Sequence, residues 1–129
     1  MKRDMDLIRR LLLYLEEKQS SRPEANVCVQ GYSKEEIVYH LALMAQAGYI
    51  DYEAFGSISN PNRLIEVVPG SLTWEGHELL ETMRDAEIWQ RTKGGAAQIG
   101  SFGIDVIKAL AKGYIRKKVK KLTDVELDL

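Results

Sequence analysis

Tyr32-Ser33-Lys34-Glu35-Glu36-Ile37, with its continuation to Ala47-Gly48-Tyr49-Ile50, is the stretch on which the fold turns. Ser33 and Glu36 stand three apart as a capping box, in which each side chain accepts from the other's backbone N–H and satisfies donors that a helix start leaves unpaired. Tyr32 and Ile37 flank the box as a hydrophobic staple, so a helix begins at Ser33. Ile37, Leu41 and Met44 recur at helical spacing and form its buried stripe. Gly48 supplies the left-handed residue that ends the helix near Ala47, and Tyr49 can pack back on Met44 as in a Schellman motif.

Downstream of this helix, Ile50-Asp51-Tyr52-Glu53-Ala54 alternates apolar and polar, 56–62 reads as a loop, and Leu64-Ile65-Glu66-Val67-Val68 is a second strand. The two form a hairpin, which Pro69-Gly70 breaks. Thr73 caps a third helix running to about Thr92, with Leu80 and Met83 inward and Glu75 in its first turn. Upstream, Asp4 caps a first helix over about 4–18, in which Met5, Ile8, Leu12 and Leu15 share one face. Val27-Cys28-Val29 reads as a short strand ending at Gly31, with Cys28 a buried small hydrophobe and not a nucleophile. Residues 93–101 hold three of the ten glycines and read as a flexible linker. A fourth helix, roughly 102–121, carries Phe102, Val106, Ile107, Leu110 and Tyr114 on one side and basic residues around the other.

The whole chain has 129 residues, 45% of them hydrophobic and 29% charged, which is ordinary for a globular domain and excludes disordered and disulfide-stapled classes. A lone Cys28 makes no intramolecular disulfide, and no apolar run approaches the roughly 18 residues of a membrane span. Met1-Lys2-Arg3-Asp4 leads into charged residues, not a signal segment, so a cytoplasmic protein is expected. The net charge of -1 hides an asymmetry: residues 1–105 carry -5, residues 106–123 carry +7, and 124–129 return -3.

The predicted fold class is α+β, mainly α. Helix, short strand, helix, β-hairpin and helix over 1–92 is the order of a winged-helix-like domain, with 93–101 as linker and 102–129 as a C-terminal amphipathic basic helix and acidic tail. A helix with a glycine C-cap leads straight into the first wing strand, and the second wing strand feeds a returning helix that covers the core. Only Val27 to Tyr32 precedes the Ser33 helix, too short and β-like for the separate helix that usually stands there. Met1 to Arg9, Gly31-Tyr32-Ser33 with Tyr39-His40-Leu41, Leu72-Thr73-Trp74-Glu75-Gly76-His77-Glu78, and Arg84-Asp85 with Ile88-Trp89 together resemble bacterial and prophage-borne domain-of-unknown-function family number 2513. The resemblance extends to the C-terminal amphipathic helix. It implies a bacterial or phage origin and carries over no biochemical activity.

Candidate chemistry centres on nucleic acid. Laid in a major groove, the 33–47 helix would offer Lys34, Tyr39 and Gln46, while Asn60, Asn62 and Arg63 on the wing could reach phosphates. Glu35 and Glu36 in the first turn oppose that reading, and capping alone accounts for Glu36. Lys108, Lys112, Arg116, Lys117, Lys118, Lys120 and Lys121 offer a second route, gripping a phosphate backbone. Cations near a helix C-terminus, solvated or drawn to the acidic body, explain the same residues without a ligand. Trp89, Phe102, Ile107, Leu110 and Tyr114 are candidate interface residues for a homodimer or a host protein, with packing inside the chain as the plainer reading. His40, His77 and Cys28 match no metal spacing, no phosphate loop is present, and nothing arranges a catalytic triad. The expectation is a non-enzymatic module without cofactor or metal, acting on duplex nucleic acid or as a protein-interaction adaptor, with no integral membrane association.

Overall fold

A computed structural model describes residues 1–56 and 64–128. Among them are five helices, α1 (Met5–Glu16), α2 (Lys34–Gln46), α3 (Trp74–Met83), α4 (Ala86–Ile99) and α5 (Ile104–Thr123). Strands β1 (Ile50–Gly56) and β2 (Leu64–Leu72) pair antiparallel as a two-stranded sheet. The class is α+β and mainly helical. Two compact units divide the chain, Met1–Leu80 and Glu81–Leu129.

In the first unit α1, α2 and the sheet bury one apolar core. Leu7, Leu11 and Leu12 of α1 meet no solvent, and Ile37, Leu41 and Met44 of α2 and Val67 of β2 are nearly as enclosed. The α2 ends form as their side chains dictate. Glu36 N–H donates to Ser33 Oγ at 3.1 Å and Ser33 N–H to Glu36 Oε1 at 3.0 Å, closing the capping box. At the other end Gly48, at φ 81°, lets Tyr49 N–H reach Met44 O at 2.9 Å and Gly48 N–H reach Ala45 O at 3.1 Å, the paired bonds of a Schellman motif.

His40 joins α1 to α2. It is 1% exposed, its Nε2 accepts from Asp4 N–H at 2.8 Å, and its Nδ1 lies 2.7 Å from Glu36 O. The tautomer with the proton on Nδ1 satisfies both contacts. Asp4 in turn caps α1, its Oδ1 accepting from Asp6 and Leu7 N–H, and its Oδ2 accepts from the Tyr32 hydroxyl at 3.1 Å. Burial, and then the neighbouring Asp4 carboxylate, pushes the Tyr32 hydroxyl above its ordinary pKa. His40→Leu keeps the volume and strips both ring bonds; urea unfolding should show a loss of about 2 kcal/mol.

Five expectations need correction. Val27-Cys28-Val29 pairs with no strand among the described residues, and Cys28 is exposed while Val27 and Val29 are buried. Pro69-Gly70 does not end β2, which runs on to Leu72. The register shifts between Ile50↔Leu72 and Tyr52↔Pro69, so an irregularity in the ladder accommodates the residues that cannot pair regularly. The third helix to Thr92 is two helices, because Asp85 interrupts at φ -71°, ψ 122° and its side chain accepts from Ile88 N–H as a new N-cap. Residues 93–99 are the second half of α4, not a linker, and Gly100 at φ 83° ends it.

In the second unit α4 packs on α5, and glycine permits the approach. A Cβ on Gly95 would stand 3.0 Å from the Tyr114 hydroxyl and 3.2 Å from the Leu110 methyls. Lys118 Nζ meets Asp85 Oδ2 at 2.5 Å and so ties α5 to the cap of α4. That bond from Lys118, with the Ile88 N–H, holds the Asp85 carboxyl below the ordinary aspartate range, and the same bond raises Lys118. A lowered carboxyl contributes stability that is whole above its unfolded pKa and lost as pH falls through the folded one. A raised amine contributes below its own unfolded value, so the pair is fully formed across neutral pH. Asp85→Asn keeps a capping side chain. Comparing its thermal unfolding with wild type should show a deficit at pH 7 that vanishes in the acid range.

Candidate nucleic-acid interface

Two surfaces carry the predicted contacts, one in each unit. On α2, Lys34, Tyr39 and Gln46 all lie at the surface, Tyr39 at 37% exposure with its ring set edge-on to His40 at 5.6 Å. They do not form a cationic edge. Val38, Tyr39 and Ala42 line a groove of about 620 Å3 with Val67, and Lys34 shares that groove with Glu35 and Glu66. Two carboxylates around one ammonium repel phosphate more than they attract it. Arg63, Asn60 and Asn62 lie outside the described residues.

On α5 the seven cations divide by what holds them. Lys118 pairs with Asp85, and Lys120 pairs with Asp124 at 3.0 Å and lies 3.7 Å from Glu126. Among the described residues no ion pair involves Lys108, Lys112, Lys117 or Lys121. Lys108, Lys112 and Arg116 follow one another four residues apart, which places their heads on one line about 6 Å apart per step along the helix. The buried face of α5 is elsewhere, at Ile107 and Ala111. The unit from 81 to 129 holds 10 basic and 7 acidic residues, net +3, against 8 and 12, net -4, for residues 1–80.

The interface candidates divide by burial. Trp89 is 1% exposed and Ile107 is fully enclosed, so these two belong to the chain's own interior, while Leu110 and Tyr114 are half-buried beside Gly95 of α4. Phe102 remains 43% exposed. Among the described residues the most exposed aromatic side chain is Trp74, at 75%, the first residue of α3. Sequence reading missed the α2 groove, although Val38 and Ala42 stand four apart beside the Ile37–Leu41–Met44 stripe and signal a second apolar face. It also read 93–101 as a linker, where α4 runs on to Ile99.

Among the described residues, no group of three or more His, Cys, Asp or Glu gathers as a metal site, and no helix is long and apolar enough to cross a membrane.

A family model described as Hypothetical protein (DUF2513) matches residues 2–102, which take in α1 through α4. The chain belongs to this family. It is similar to an uncharacterized protein of Haemophilus influenzae, 32% identical over 120 residues that cover 89% of this chain and 96% of that protein. No solved structure matches it.

Proposed function

We propose that the chain is a non-enzymatic, winged-helix-like module of bacterial or phage gene control that grips the nucleic-acid backbone through α5. The helix order α1, α2, hairpin, α3 supports the winged-helix-like reading, with α2 in the recognition-helix position and β1–β2 as the wing. The observation that carries the function is the row Lys108, Lys112 and Arg116, half-buried at Lys108 and exposed at the other two, in a unit of net +3. Backbone contacts of this kind supply affinity without sequence information, whereas the α2 edge with Glu35 and Glu66 is poorly suited to bases beside phosphates. Anisotropy competition between a labelled duplex and unlabelled duplexes of unrelated sequence tests this reading. Competitors of equal length should displace the label equally; a preference of 100-fold or more for one sequence would place reading of base edges at the centre instead.

The α2 groove favours a second reading, an adaptor that docks a protein. Its apolar walls and mixed charged rim have the composition of a small interface, and its occupant could be a second copy or a host protein. Absence of duplex binding at about 50 mM salt, where backbone contacts are strongest, selects this reading over the first.

A further inference from the structure

The cleft between α4 and α5 encloses about 210 Å3 within the second unit. Ile88 and Tyr114 give it an apolar floor, and Arg91, Lys117, Lys118 and Lys121 stand around it. Glu87 also lines the cleft and neutralises Arg91 at 3.1 Å, and Lys118 is held by Asp85. Lys117 and Lys121 remain. They are four residues apart on one helical face, and neither has an ion pair among the described residues. Lys117 follows Arg116 directly, so it points about 100° around the helix from the Lys108–Arg116 row. The two sets of cations therefore serve different directions.

Two ammonium groups over an apolar floor match a ligand with close to two negative charges on an apolar body. A phosphomonoester has roughly -1.5 to -2 charges near pH 7 and three strong acceptor oxygens, whereas a carboxylate or a backbone phosphodiester has one charge. We propose that the α4–α5 cleft binds a small organic phosphomonoester, the class that includes nucleoside monophosphates, with Lys117 and Lys121 on the phosphate and Ile88 and Tyr114 against the organic body. This site is separate from the row proposed to hold a duplex.

Two-dimensional amide NMR of the full chain, titrated with phenyl phosphate, inorganic phosphate and benzoate, tests the proposal. Phenyl phosphate should saturate, with shifts confined to residues 87–91 and 114–122, and bind at least 10-fold tighter than either comparator, in proportion to one added tenfold step of about 1.4 kcal/mol. Lys117→Ala with Lys121→Ala should abolish saturation while leaving the dispersed spectrum intact. Lys108→Ala with Lys112→Ala should weaken duplex binding and leave phenyl phosphate binding unchanged, so failure of either proposal is visible without the other. Equal weak binding of all three probes overturns the site, as does saturation that survives loss of Lys117 and Lys121. Binding confined to vesicles containing phosphatidate, with none to the soluble ester, overturns it as well.

Discussion

Gly76→Ala should lower the unfolding free energy by about 3 kcal/mol or more, although alanine is the better helix former by about 1 kcal/mol. A Cβ on Gly76 would fall well inside contact distance of the Tyr49 carbonyl oxygen and 3.1 Å from its carbon. That oxygen cannot retreat freely. It accepts Thr73 N–H at 3.0 Å, while Tyr49 N–H is committed to Met44 O. Thr73 adds a second tether, its hydroxyl donating to Gly48 O at 2.5 Å and accepting from Gly76 N–H at 3.1 Å. One methyl group therefore presses on the end of α2, the entry to β1 and the cap of α3 together. Overpacking against backbone atoms outweighs the gain in propensity. Gly94→Ala is the control, since a Cβ there meets nothing within 4 Å, and it should stabilise by about 0.5–1 kcal/mol. Urea unfolding of both variants decides the matter; a Gly76→Ala protein within 0.5 kcal/mol of wild type would show that the α2–β1 junction yields.

The same junction shows what could be read in advance. Ser33, Glu36 and Gly48 were legible because each acts through a bond between its own side chain or backbone and residues at most five away. Thr73 was legible as a cap for the same reason. Gly76 was visible as a glycine, but its necessity comes from Tyr49, 27 residues earlier in the chain, and no local pattern states that. Gly95 failed in the opposite direction. Its low helix propensity suggested a linker, and contact with Leu110 and Tyr114 overrode it. Asp85 belongs to a residue type that caps helices, but no nearby proline or glycine marks the break there. Cys28 was misplaced despite a clue: in an extended segment, the residue between inward Val27 and Val29 faces out. Of the candidate site, the α5 row followed from spacing alone, while the charged surroundings of Lys34 required β2 to bring Glu66 beside α2.

The second large effect concerns that row. Reversing Lys108 and Lys112 to Glu, with Arg116→Ala, should weaken duplex binding on the order of 100-fold at about 50 mM salt, since three backbone contacts are lost and two become repulsive. The fold should persist, because neither Lys108 nor Lys112 forms an ion pair among the described residues and the buried face of α5 lies at Ile107 and Ala111. Truncating α5 would be a poorer test, as it would remove that buried face. Lys34→Ala and Gln46→Ala on α2 should change duplex affinity by less than about threefold, a loss smaller than one good base contact contributes. A larger loss from the α2 pair than from the α5 triple would exchange the roles of the two surfaces.

The salt dependence of duplex binding by the unaltered chain tests the central claim most directly. Fluorescence anisotropy between about 50 and 200 mM salt should give a straight line of log affinity against log salt with a slope near -3, one contact each from Lys108, Lys112 and Arg116, and the triple variant should flatten it. No binding at the low-salt end, or binding whose slope the triple variant leaves unchanged, would contradict a nucleic-acid role for α5.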